Sequence, residues 1–124
     1  MKNFNEDIKD RTKKMSIRII KMYSKLSKND EIRVIGKQLL RSSTSVAANF
    51  RAACRARSIS EYYSKLCICV EESDETLFWI EILQECELIK RDRLKELIVE
   101  VTEILKILAF TRKKQKEKLN KLRS

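Results

Sequence analysis

The stretch RSSTSVAANFRAACRARS, Arg41–Ser58, decides how the chain folds. Four arginines around a run of small residues suit either a flexible basic loop or a helix that a neighbour can approach closely. Periodicity separates the two. Ile32, Ile35, Leu39, Val46, Phe50 and Ala53 recur at helical spacing on both sides of the run, and neither glycine nor proline interrupts Ser42–Ala48. One helical phase therefore passes straight through. Serine and threonine are poor helix-interior residues, so tertiary packing must favour them here, and small side chains let a facing backbone come near. The stretch reads as a closely packed helix that ends near Ala56 and Arg57.

Working outward, Ser58-Ile59-Ser60-Glu61 fits the S-x-x-E capping box and opens a third helix. Its apolar positions form two stripes, one through Tyr63, Leu66, Val70, Leu77 and Ile80, the other through Tyr62, Cys69, Trp79, Leu83 and Cys86. Two stripes predict burial on two sides and suit a subunit contact. Upstream, Ile8, Met15, Ile19, Met22 and Leu26 mark a first helix with Asn3 as its cap, and Asn29 or Asp30 caps the second. Downstream, Asp92 is the expected cap of a fourth helix carrying Leu94, Leu97, Ile98, Val101, Ile104, Leu105 and Leu108. With 124 residues, no proline and one glycine, the chain predicts one all-helical domain of four helices over residues 1–110. Residues 111–124 are expected to be a basic C-terminal tail that frays.

Charge is divided unevenly. Residues 1–28 carry nine cations against three acids, residues 58–87 one against eight, and residues 111–124 seven against one, within a net charge of +10. The third helix is an acidic rod beside basic neighbours. In an antiparallel hairpin about Arg57-Ser58, Arg41 falls opposite Glu71 and Glu72, which predicts a structural ion pair there. The remaining excess points to phosphate polymers, RNA or DNA, with Lys13, Lys14, Arg18, Lys21, Arg51, Arg55, Arg57, Arg112, Lys113 and Lys114 as the candidate contacts.

Enzyme chemistry finds little support. No histidine is present, which removes Ser-His and Cys-His dyads and the E-x-x-H ligands of bundle metal sites. Cys54, Cys67, Cys69 and Cys86 read as buried free thiols, because Cys67 and Cys69 diverge on a helix and cannot share one ion. The expectation is a non-enzyme with no catalytic residue, metal or cofactor. No apolar run is long enough to span a bilayer, and the acidic start MKNFNEDIKD lacks the apolar core of a signal peptide, so the expected setting is the cytoplasm and not a membrane.

Beyond periodicity, the segment GKQLLRSSTSVAANFRAACRARSISEYYSKLCICVEESDETLFWIEIL, Gly36–Leu83, resembles the four-helix-bundle family of ribosomal-RNA intervening-sequence proteins, which includes relatives of the accessory protein of diversity-generating retroelements. The resemblance rests on Q-x-x-R-S from Gln38, S-V-x-A-N-x-R ending at Arg51, R-A-R-S before the third helix, and E-E-S-D-E-T over residues 71–76. It implies an antiparallel up-down four-helix bundle assembled into a ring-like homo-oligomer, pentameric in the family, with a binding role towards nucleic acid or a nucleic-acid-processing enzyme. Ser43 and Ala47 stand where the family pattern has glycine. The rival expectation is a protein-docking scaffold with little affinity for nucleic acid.

Overall fold

The computed structural model describes residues 3–124. In it α1 spans Phe4–Ser24, α2 Asp30–Ala53, α3 Ile59–Glu85 and α4 Arg91–Arg123, with no strand among the described residues. Each helix packs on the next, and α4 closes back on α1 through the most open of the four seams. α1 and α3 are thereby diagonal partners, as are α2 and α4, which is the arrangement of an antiparallel four-helix bundle.

The local signals act at three of the four starts. Asn3 Oδ1 accepts from the Glu6 amide at 2.8 Å, Asn29 Oδ1 from the Ile32 amide at 2.8 Å, and Ser58 Oγ from the Glu61 amide at 3.0 Å. Each bond satisfies an amide that the first turn would leave orphaned. Asp92 does not cap α4. The cap position falls to Lys90, without a side-chain bond, because buried Ile89 and Leu94 bracket the turn and the helix begins at Arg91. Asp92 instead lies exposed in the first turn, where its charge complements the helix dipole.

Small residues on α2 draw both neighbours in. Ser16 Oγ on α1 donates to the Ser43 carbonyl at 2.9 Å, and the Thr76 hydroxyl on α3 donates to Ser42 Oγ at 2.9 Å. Ser42, Ser43 and Thr76 are fully buried, and Cys69 Sγ sits 3.7 Å from the Val46 carbonyl. Nearer the α1–α2 turn, Gly36 continues the seam, since a Cβ there would overlap the Tyr23 ring. Around it Ile8, Met15, Ile19, Leu39, Phe50, Leu66, Ile80, Leu94, Ile104 and Leu108 form one apolar core.

Two expectations fail. Residues 111–123 do not fray but continue α4 past 110 without a break. Leu119 lies eleven residues after Leu108, three helical turns on, so it returns to the core-facing side and is 5% exposed, while Lys116 Nζ rests 5.4 Å from the Tyr63 ring centre. The thiols are also not uniformly buried: Cys69 is enclosed, Cys54 and Cys67 are half-buried and Cys86 is exposed, because Cys54 and Cys86 fall at the last-turn boundaries of α2 and α3.

Ser43→Leu, which forces a larger, branched side chain into the α1–α2 seam, should destabilise the fold by about 1–3 kcal/mol in urea unfolding. Ala48→Leu, at an exposed position further along the same helix, should leave the midpoint near that of the parent.

Candidate nucleic-acid interface

Lys9 and Lys13 lie one turn apart on α1, and Arg51 and Arg55 one turn apart at the end of α2. The Ser16–Ser43 contact sets the two helices in a register that brings these pairs together. They line a groove of about 520 Å³ whose floor is Ala47 and Ala48, with Asp10 as its one acid. All four cations are exposed, and none forms a salt bridge among the described residues. Small alanines keep the floor low while long side chains make the walls, a shape that admits a phosphate chain between two rows of donors. No aromatic ring lines it, so bases would have no stacking platform there.

The other sequence-predicted cations separate. Lys14 bonds Asp10 at 2.9 Å and Arg18 lies 3.3 Å from Glu96 on α4, both turned away from the groove with Lys21. Arg57 stands in the α2–α3 turn at 90% exposure, 3.7 Å from Glu61. Arg112, Lys113 and Lys114 ride on the extended α4, with Lys114 Nζ 5.0 Å from the Phe110 ring centre. Because α1 begins, α2 ends, α3 begins and α4 ends at the same pole of the bundle, Arg57 and the α4 cations share that pole with the groove. Lys9, one of the first-helix cations in the sequence, is not among the candidate contacts read there, although its i,i+4 spacing to Lys13 was a signal for it.

A family model, the 23S rRNA-intervening sequence protein, matches residues 5–110. The chain belongs to that family. Among solved structures it is similar to a protein of unknown function from the S23 ribosomal protein family of Bacteroides thetaiotaomicron, at 35% identity and a TM-score of 0.78, over 88% of this chain and 97% of that one. No curated protein matches it.

In this member of the family the expected ion pair forms, with one change of partner. Arg41 Nη1 reaches Glu72 at 2.9 Å and Arg41 Nη2 reaches Glu75 at 2.5 Å, while Glu71 points to solvent. Glu72 and Glu75 lie at the α2 edge of α3, whereas Glu71 is rotated roughly 100° from Glu72 and roughly 40° beyond Glu75, towards the outer side. The Trp79 indole donates to Glu75 at 3.2 Å and completes the cluster. Arg41 is 49% exposed, so this is a surface pair and not a buried one. Arg41 nevertheless holds the Glu75 carboxyl below its ordinary value of 4.5. On the opposite seam Arg11 binds Glu100 at 2.6 Å and Glu103 at 3.3 Å, closing α1 onto α4.

Thiol chemistry has no footing in the core, since burial pushes the Cys69 thiol up to about 12. At neutral pH a disulfide reagent should label exposed Cys86 in the folded protein and leave Cys69 unmodified until denaturant is added.

Arg41→Ala should cost about 1 kcal/mol at neutral pH, the scale of an exposed pair and not of a buried one. A carboxyl lowered in the folded state stabilises above its unfolded pKa, and that gain disappears as pH falls through the folded value. Thermal melts of parent and variant should therefore differ at pH 7 and converge in strong acid.

Proposed function

We propose that this is a non-enzymatic, homo-oligomeric helical-bundle protein that holds RNA or DNA through phosphate contacts on its basic surface. The observation that carries the reading is the α1–α2 groove, in which Lys9, Lys13, Arg51 and Arg55 converge without salt-bridge partners among the described residues. Four side chains aimed into one channel are costly to keep together and gain most when an anion enters. Arg41 turns onto its own α3 acids, but Arg51, Arg55 and Arg57 face outward, which favours phosphate binding over a purely structural use of the arginines. The family description, with its reference to 23S rRNA, makes structured RNA the first probe.

The non-enzymatic part rests on the chain's own chemistry. It has no histidine, and among the described residues no group of three or more acids or cysteines could hold a metal ion. Among them, no helix is long and apolar enough to cross a membrane.

In fluorescence anisotropy, the logarithm of RNA affinity should fall linearly with that of salt, with a slope of about 0.7–0.9 per phosphate neutralised. Arg51→Ala combined with Arg55→Ala should weaken binding and flatten the slope by about that amount for each phosphate no longer neutralised, with unchanged helicity. Lys113→Ala with Lys114→Ala should do the same to a smaller extent if the α4 end extends the path from the groove. No binding to structured RNA, single strands or duplex DNA at low salt would leave the protein-scaffold reading in its place.

A further inference from the structure

Two outer faces of the bundle are mirror images in charge. On α1, Lys14, Arg18, Lys21 and Lys25 follow one another at four, three and four residues, a single helical stripe, and residues 14–25 contain no acid. They rim an apolar notch floored by Ile17 and Met22, with Ile17 41% exposed. On α3, Glu71, Glu75, Phe78, Ile82 and Glu85 follow the same spacing, and residues 71–86 hold six acids and no base. Phe78 is 50% exposed and stands edge-on to Trp79, ring centres 4.9 Å apart.

Lys14, Arg18 and Glu75 each have a partner within the chain, in Asp10, Glu96 and Arg41, but the fold keeps the two faces from meeting each other within one chain. α1 and α3 are diagonal in the bundle, so their outer faces look in opposite directions. They also run parallel and stand level. Ser16 meets Ser43 and Ser42 meets Thr76, which sets the middle of the α1 stripe at the height of the middle of the α3 stripe.

We infer that one copy seats the Phe78 face of its α3 on the Ile17 notch of the next copy's α1. This rests on the homo-oligomeric part of the proposed function and names the surfaces that join. The occupant is a second copy because the chain itself carries the complement: an apolar centre in each face, cations around one and acids around the other, at one height. Such a contact is heterologous, so each copy keeps one face of each kind free for a further neighbour, and repetition gives a ring where the rotation closes. Lys14, Arg18 and Lys21 then serve assembly and not nucleic acid, while the α1–α2 groove keeps the phosphate role.

The test uses full-length protein without nucleic acid, in sedimentation velocity. Wild type should run above the monomer mass of 14.7 kDa, with assembly weakening as salt rises. Phe78→Lys and Ile17→Glu, both at solvent-exposed positions, should each run as monomers. Mixed one to one, they should associate again, because one intact face of each kind remains and the two altered faces carry opposite charges. Lys21→Glu with Lys25→Glu, which replaces two exposed side chains, should also dissociate the protein. Trp79, the one tryptophan, should report each loss as an emission shift, since it adjoins Phe78.

If all variants assemble as wild type does, these faces are not the contact, although the oligomer stands. Monomers that fail to associate on mixing would also overturn the pairing. A monomeric wild type would remove both the pairing and the homo-oligomeric reading. If Lys21→Glu with Lys25→Glu weakens RNA binding and leaves assembly intact, the α1 face belongs to nucleic acid and the inference falls.

Discussion

The narrow waist of α2 is the constraint on which the rest depends. Where Ser42 and Ser43 stand, α2 offers its neighbours little more than a hydroxyl and a carbonyl, and Ser16 and Thr76 reach both. These bonds are buried, so leaving any one unmade would cost about 1–3 kcal/mol in desolvation, more than a typical surface pair contributes. That difference fixes register. Once Ser16 is opposite Ser43, Lys9 and Lys13 must come alongside Arg51 and Arg55, and once Ser42 is opposite Thr76, Arg41 must meet Glu72 and Glu75. The charged features of the surface are thus placed by an uncharged seam. Ser73 belongs to the same region, and its buried hydroxyl has no hydrogen-bond partner among the described residues.

A chain with net charge +10 can relieve repulsion by pairing inside the fold or by leaving cations for a partner. Both occur here, on different helices. Arg11 and Arg41 close onto acids of α4 and α3 with short, multiple contacts. Among the described residues the groove cations make none. In water two like charges repel by roughly 1 kcal/mol at 4 Å, a cost a stable bundle can bear, whereas a bound phosphate turns the same crowding into attraction. This asymmetry distinguishes a binding surface from solubility charge more surely than a count of lysines does.

The helices were legible from sequence because apolar spacing and caps are local. Asn3, Asn29 and Ser58 act where short-range rules place them, and the smallness of Ser42–Ala48 announced the close seam before any partner was known. What escaped depends on helical angle or on distant partners. Glu71 and Glu75 differ by one turn on paper, yet only Glu75 and Glu72 face Arg41. Asp92 looked like a cap because nothing local reveals that buried Ile89 and Leu94 set the turn. The α4 extension looked polar because one leucine in eleven residues is a weak signal, although Leu119 lies in phase with Leu108. Nor could the candidate cations be sorted, since charge counts carry no direction.

Direction is what the structure supplies for α1. Its cations point three ways: Arg11 towards α4, Lys9 and Lys13 into the groove with α2, and Lys14, Lys21 and Lys25 outward. A helix turning 100° per residue sorts neighbours in sequence onto different surfaces, so Lys13 and Lys14 line different clefts although they adjoin. The consequence for binding is geometric. If the outward face meets a second copy, the groove beside it remains open, and each subunit repeats the groove at the same height around the assembly. Weak phosphate contacts from successive grooves would then combine through effective concentration, provided that one nucleic acid spans them. Affinity would in that case depend on the length of the nucleic acid more than on its sequence, because each groove would hold the backbone and is lined by no ring for a base.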